Sequence, residues 1–223
     1  MSRPAGNLLD AVYESRFDDR ARKGKLAVWA EIVRYLQRHV QADRPVLDVG
    51  CDAGYFIGQV RASERWASDI RDVGAQLPDD VQFRVADGLA LREVLPTNHF
   101  GTVFMSNYLE HLETSHQVIE QLRVAHDLLA PGGRLIVIQP NVRLVGGRYW
   151  DFIDHHVALT ERSLVEAGEL AGLKTRTLVT RFLPYSTKGR LPQDPRLVRL
   201  YLRVPLAWPL LGKQTLYVAE RAE

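Results

Sequence analysis

The sequence predicts a doubly wound α/β fold, a mostly parallel sheet of seven strands with helices on both faces. Three observations predict it. Short apolar runs alternate along the chain with amphipathic helical patterns, as parallel strands joined by crossover helices require. The first run, Val46, Leu47 and Val49, passes directly into a turn that carries Gly50 and Gly54. Asp69 closes the second run (Trp66, Ala67, Ser68), 21 residues after Asp48. A carboxylate at that strand tip is placed to bind the two hydroxyls of a ribose.

The elements follow in order. Residues 8–40 read as helix, because Trp29, Ile32, Val33, Leu36 and Val40 recur at helical spacing between charges. Pro45 ends that region, and the first strand follows at 46–49. The glycine turn opens a helix at 54–60, and residues 65–69 form the second strand. Only residues 70–80 separate it from a third strand at 81–85, so any crossover helix there is short. A fourth strand fits 102–106. Thr114 and Gln117 have capping-box spacing, and Val118, Ile119, Leu122, Ala125 and Leu129 give the following helix a buried stripe. Pro131, Gly132 and Gly133 make a stop and turn, and the unbroken apolar run at 134–139 suits a central fifth strand. Ser163 and Glu166 are read as a second capping box, opening a helix that ends near Gly172. Strands at 176–182 and 215–220 complete the sheet. The expected organisation is a helical cap (1–44), a cofactor-binding core (45–182 with 214–223), and an insertion at 183–213 acting as a lid or acceptor-binding element.

The chain of 223 residues has room for one such domain with additions. A net charge of +2 is too small for a general nucleic-acid binder. Cys51 is the single cysteine, which excludes an internal disulfide and fits a reducing compartment. The first residues lack the apolar core of a secretion signal, and no apolar run approaches the roughly 20 residues of a membrane span. A cytoplasmic protein is the expectation.

The motifs in sequence resemble those of class I S-adenosylmethionine-dependent methyltransferases across nearly the whole chain. The matching marks are Val46 to Cys51 with Gly54, Asp69 after the second strand, and Ala86-Asp87-Gly88 after the third. Ser106 to Leu112 after the fourth strand and Leu129 to Val137 complete the set. More narrowly, Tyr13 to Phe17, Gln139 to Arg143, Tyr149 to His156, Leu183 to Lys188 and Leu211 to Gln214 are similar to a bacterial group associated with polysaccharide and glycoconjugate pathways. The resemblance implies a Rossmann-like fold and S-adenosyl-L-methionine as cofactor. It implies that Asp48, Gly50 and Gly54 cradle the methionine part and that Asp69 holds the ribose. Asp87 would meet the adenine amino group, the Gly88 backbone its ring nitrogen, and Asn107 would border the sulfonium and the acceptor. Cys51 belongs to the same cofactor-binding turn as a small packed residue, not a nucleophile. Two positions depart from the pattern. Asp52 stands where the turn usually has its middle glycine, and Gly101 follows Phe100 where an acid is usual.

Three histidines are candidate bases, because the imidazole pKa lies near working pH. His155 and His156 follow the fifth strand and His111 follows the fourth, at the edge where open α/β sheets bind ligands. Each can alternatively hydrogen-bond a neighbouring loop. Asp151, Asp154, His155 and His156 are suitable ligand types but are not read as a metal site, since adjacent histidines point apart. Residues 181–213 carry seven basic residues and one acid, a local excess of +6, interleaved with leucines and Trp208. Such a segment can lie on an anionic membrane surface, here 190–211 at the inner face, or grip a lipid-linked acceptor. It can equally be a lid whose leucines pack on the sheet. Arg16, Arg20, Arg22 and Lys25 form a second basic cluster, either a solvated helix face or a contact to the cofactor carboxylate.

The expected activity is methylation of a small molecule, on a hydroxyl of a sugar, glycolipid or related metabolite. A small-molecule or lipid-linked saccharide is the expected partner, and no nucleic acid. A weakly binding or non-catalytic scaffold, motivated by Asp52, and a nucleic-acid methyltransferase, motivated only by the +6 segment, stay open as alternatives.

Overall fold

A computed structural model describes residues 19–185 and 194–222. The start of the predicted first helix, the side chains of Arg16, Arg20 and Arg22, and Lys188 and Arg190 lie outside the described residues. Helix α1 spans Asp19–Leu36 and leads to β1 (Val46–Val49), β2 (Arg65–Asp69) and β3 (Val81–Val85). A short α2 (Leu91–Val94) precedes β4 (Phe100–Ser106), α3 (Ser115–Leu128) and β5 (Leu129–Pro140). After β5 come α4 (Val142–Val145), α5 (Glu161–Leu170) and β6 (Leu173–Leu183). Helices α6 (Pro195–Arg203) and α7 (Trp208–Leu211) then lead to β7 (Gln214–Arg221).

The seven strands form one sheet in the order β3-β2-β1-β4-β5-β7-β6. Strand β7 runs antiparallel to both neighbours, so β6 is parallel to β1–β5. All carboxyl ends except that of β7 therefore meet at one edge. The period-two alternation of strand side chains fills two cores. Leu47, Val49, Val103, Met105, Leu135, Val137 and Tyr217 pack with α3 and α5 through Leu122, Ala125, Leu128 and Leu164. Val46, Phe104, Ile136, Ile138, Leu216 and Val218 pack with α1 and α6 through Ile32, Val33, Leu36 and Leu202. Both faces of β5 are buried, which is why its sequence is an unbroken apolar run.

The differences from expectation are local. Residues 52–59 form a succession of turns instead of a regular helix. Their few helical bonds are Gly58 N–H to Gly54 O and Val60 N–H to Phe56 O, and β2 begins at Arg65. Residues 70–80 hold one 3₁₀ turn, Gly74–Gln76, and no crossover helix. Helix α5 starts earlier than predicted. Its capping box is Thr160 with Ser163: the Thr160 hydroxyl accepts from Ser163 N–H (3.1 Å) and Ser163 Oγ accepts from Thr160 N–H (2.9 Å). Thr114 caps α3 as expected, accepting from Gln117 N–H (3.2 Å), while Gln117 Oε1 reaches back to Glu113 N–H (2.8 Å).

The insertion leaves Leu183 and returns at Gln214, so both its ends lie at the carboxyl edge. Trp208 and Leu202 are buried, and Trp208 Nε1–H and the Tyr201 hydroxyl donate to Tyr201 O and Phe182 O. Arg199 makes a two-pronged contact with buried Glu31 of α1 (2.7 and 3.0 Å). The insertion is thus fixed to the core at its base. Its outer face exposes Leu197, Leu200, Leu206 and Leu210. Among the described residues no helix is long and apolar enough to cross a membrane.

Candidate active site

Two groups of candidate side chains collect at the carboxyl edge. The first surrounds the turn after β1. Gly50 (φ +67°) and Gly54 (φ +70°) are in the left-handed region, where a side chain is costly. Asp52 is there too, at φ +48°, so the position that usually carries glycine keeps the glycine conformation. Aspartate is among the residues that tolerate it. Its carboxylate is held by Arg71 Nη2 (3.1 Å) and by Lys25 Nζ (3.8 Å). Of the N-terminal basic cluster, Lys25 falls among the described side chains, and it reaches the turn. Burial lowers its pKa and the Asp52 charge opposes that.

Asp69 is 6% exposed and every acceptor position of its carboxylate is filled. Oδ1 accepts from the backbone N–H of Arg71 (3.0 Å) and from Arg71 Nε (3.1 Å). Oδ2 accepts from the backbone N–H of Asp52 (3.0 Å) and from Arg71 Nη2 (3.3 Å). A carboxylate offers about four lone-pair sites, so a diol reaching Asp69 takes over the guanidinium's share. Asp48 is fully buried beneath the turn, and burial raises its pKa well above the usual carboxylate value. Burial likewise pushes the Cys51 thiol up, which removes it as a nucleophile at neutral pH. Asp87 caps the 3₁₀ turn that begins at Gly88, accepting from Leu89 N–H (2.9 Å).

Tyr108 and Arg71 are candidate-site residues that sequence reasoning missed; Tyr108 shapes the cup. Its ring lies between the two glycine positions. A Cβ on Gly50 would fall 2.6 Å from Tyr108 Cδ2, and one on Gly88 would fall 2.0 Å from Tyr108 Oη. The phenol donates to Gln121 Oε1 (2.9 Å), and burial pushes its pKa up. Both glycines are therefore small because a tyrosine packs on them, and the cup is walled on that side by an aromatic face. Asn107, at the tip of β4, is exposed and also at positive φ (+48°).

This donor set fits the adenosyl cofactor that the resemblance implies. Two carboxylates stand at the β2 and β3 tips, where ribose and adenine donors need acceptors. Two cations beside the turn suit a carboxylate. The fit requires Arg71 to yield its hold on Asp69.

The second group lies between the β4 and β5 tips. Glu110 is 1% exposed, its pKa is raised by burial, and its Oε2 finds no hydrogen-bond partner. One carboxylate oxygen of Glu110 and one ring nitrogen each of His111 and His155 lie within 4.8 Å of one another. His111 Nδ1 donates to the Asp154 carbonyl (2.9 Å). His155 is buried against Tyr149 and Phe152. His156 faces outward and is exposed, with its backbone N–H donating to Glu110 O (2.8 Å). The structure thus brings His155 and His111 together and separates His156 from them. Tyr185, where the insertion begins, is close enough to feel the Glu110 charge; burial first and that charge second push its pKa up to about 12.

Residues 19–178, more than half of the chain, match a family described as methyltransferase domain. Among curated proteins none matches in sequence. Solved structures match in fold. A chain of the Haloferax volcanii Trm112 methyltransferase activator–methyltransferase complex is 17% identical, with a TM-score of 0.68 and full coverage of both chains. An Archaeoglobus fulgidus SAM-dependent methyltransferase is 15% identical, with a TM-score of 0.60, covering 85% of this chain and 93% of its own. Geranyl diphosphate C-methyltransferase from Streptomyces coelicolor A3(2), solved with Mg2+, geranyl diphosphate and S-adenosyl-L-homocysteine, is 16% identical. Its TM-score is 0.61, over 86% of this chain and 77% of its own.

Proposed function

The chain belongs to the methyltransferase domain family and uses S-adenosylmethionine, and from that premise we propose that its acceptor is a hydroxyl of a saccharide, glycolipid or related small metabolite. The observation that carries this reading is the Glu110–His111–His155 cluster at the carboxyl edge, next to the β4 tip that borders the glycine turn. Oxygen methylation needs one proton removed from the acceptor, and His111 and the buried His155 are imidazoles beside the site.

The bound cofactor supplies an electrophilic methyl group, and the rest of the chemistry falls to the chain. Asp69 and Asp87 hold the nucleoside by accepting from its hydroxyl and amino groups. Lys25 and Arg71 balance the negative charge of the turn. The glycine turn and the Tyr108 ring fix the approach, which matters because in-line transfer depends mainly on positioning. His111 or His155 takes the hydroxyl proton.

The insertion supports an amphiphilic acceptor. It leaves the sheet at the site edge and exposes Leu206, Leu210 and Arg203 within one segment. Leucines favour a lipid or prenyl chain, and arginines favour phosphate. A role of the same face against an anionic membrane surface is part of this proposal. The test is calorimetry with S-adenosylmethionine and S-adenosylhomocysteine, followed by a labelled-methyl screen of nucleotide sugars and lipid-linked saccharides. Binding of both cofactor forms with label appearing on a saccharide hydroxyl is expected. Label appearing only on carbon or on nucleic acid would refute the acceptor assignment.

A further inference from the structure

The Glu110 cluster has a composition that a proton acceptor alone does not need. A general base requires one imidazole, yet two imidazoles and a carboxylate converge here from two separate segments, residues 110–111 and residue 155. The carboxylate is 1% exposed and its Oε2 has no hydrogen-bond partner, a costly arrangement for a buried acid. The second observation concerns the tautomer. His111 Nδ1 donates to the Asp154 carbonyl at 2.9 Å, so in the neutral ring the lone pair resides on Nε2. Metal-binding imidazoles are held in this way, with one nitrogen donating to a carbonyl and the other free to ligate. His155 is fixed by its ring contacts to Tyr149 (4.9 Å), Phe152 (5.1 Å) and His111 (5.2 Å).

We propose that Glu110, His111 and His155 form a three-ligand site for a first-row divalent cation of the Zn2+ and Fe2+ class, with an open coordination position facing the acceptor. Two nitrogens and one oxygen suit those ions better than Mg2+ or Ca2+, which prefer oxygen-only sets. With bonds of about 2.1 Å in a near-tetrahedral set, ligand atoms sit roughly 3.4 Å apart, so atoms now within 4.8 Å of one another draw in by up to about 1.4 Å on binding. His111 is partly exposed and supplies the entry path. The cation neutralises the Glu110 carboxylate and binds the acceptor hydroxyl oxygen. With the ion bound, His111 and His155 serve as ligands in place of the proton acceptor proposed above: the ion makes that O–H more acidic, and the proton leaves to solvent. This step rests on the hydroxyl-acceptor reading; the binding of the ion does not.

The experiment uses the full, untagged chain stripped of metal by a chelator and titrated with Co2+, then Zn2+. One equivalent of Co2+ is expected to give visible bands of a four- or five-coordinate ion, which Zn2+ removes. Glu110→Gln, His111→Ala and His155→Ala are each expected to weaken binding by at least about tenfold. His126→Ala, outside the cluster, leaves it unchanged. Thermal unfolding of each variant identifies any that fails to fold, and the wild-type titration stands without them. An absence of bands in the wild-type protein at millimolar Co2+, or equal affinity in folded Glu110→Gln and His111→Ala, overturns the site. S-adenosylhomocysteine binding, measured separately, reports on the cofactor cup whichever way the metal titration falls.

Discussion

Replacing Asp69 with asparagine tests the assignment of the cup most sharply, because the structure gives that carboxylate two duties. It accepts four N–H groups, three of them from Arg71 and one from the Asp52 backbone. Asp69→Ala would remove the acceptor from all four contacts and confound stability with binding. Asp69→Asn keeps the shape and one acceptor oxygen, and Arg71 retains Asp52 at 3.1 Å. Charge-assisted hydrogen bonds contribute roughly 1.5–3 kcal/mol each and neutral ones about 1. With Arg71 still anchored on its second partner, the expected loss of stability is about 1–3 kcal/mol. That corresponds to roughly 3–10 °C in Tm for a chain of this size. On the ligand side, two ribose hydroxyls lose a charged acceptor, one of them losing its acceptor outright. A loss of about 2–4 kcal/mol follows, or roughly 30- to 700-fold in Kd. Calorimetric titration with S-adenosylhomocysteine beside a thermal melt separates the two effects. A lowered Tm with affinity within threefold of wild type would refute the reasoning and leave Asp69 as a purely structural clamp for Arg71.

The packing of Tyr108 predicts that Gly88→Ala destabilises the protein by roughly 1–3 kcal/mol in urea unfolding, and by clearly less in a Tyr108→Ala background. Strictly additive losses would show that the ring is not what the new methyl meets. Arg199, by hydrogen bonding, holds the Glu31 carboxyl below its ordinary value of 4.5. A depressed carboxylate pKa stabilises the fold above the ordinary value, and that contribution is lost as pH falls through the lower folded-state value. Arg199→Ala should therefore lower stability at pH 7 and flatten its decline below about pH 4.5; superimposable acid limbs would contradict the pairing. The double change Leu206→Ser and Leu210→Ser removes apolar side chains that are 88% and 81% exposed. It should leave stability within about 0.5 kcal/mol while raising the KM for an amphiphilic acceptor several-fold. An unchanged KM would detach the insertion from acceptor choice.

The sheet was legible because each strand announces itself locally. Residues 65–69 and 81–85 coincide with β2 and β3, and the apolar run at 134–139 lies within β5, buried on both faces. What misled was also local. The glycine turn looks like the start of a helix, but residues 52–59 form a succession of turns. Ser163 with Glu166 has capping spacing, yet Thr160 wins because it and Ser163 satisfy each other's N–H groups. The cup residues after β1, β2 and β3 stand at the expected strand tips. Tyr108 gave no signal, since nothing in a β4-tip tyrosine indicates that it will lie across Gly50 and Gly88.

The sequence by itself determined the sheet, the glycine turn and the acids at the strand tips, because those depend on side-chain period and on backbone freedom within a few residues. Tertiary structure alone decided which groups meet. Arg71 fills Asp69 because a turn after β2 folds back onto the turn after β1. Glu110 and His111 join His155 across 44 residues of chain because β4 and β5 are neighbours in the sheet. His155 is buried while its neighbour His156 is exposed, because the packing around Tyr149 and Phe152 takes in one ring and not the other.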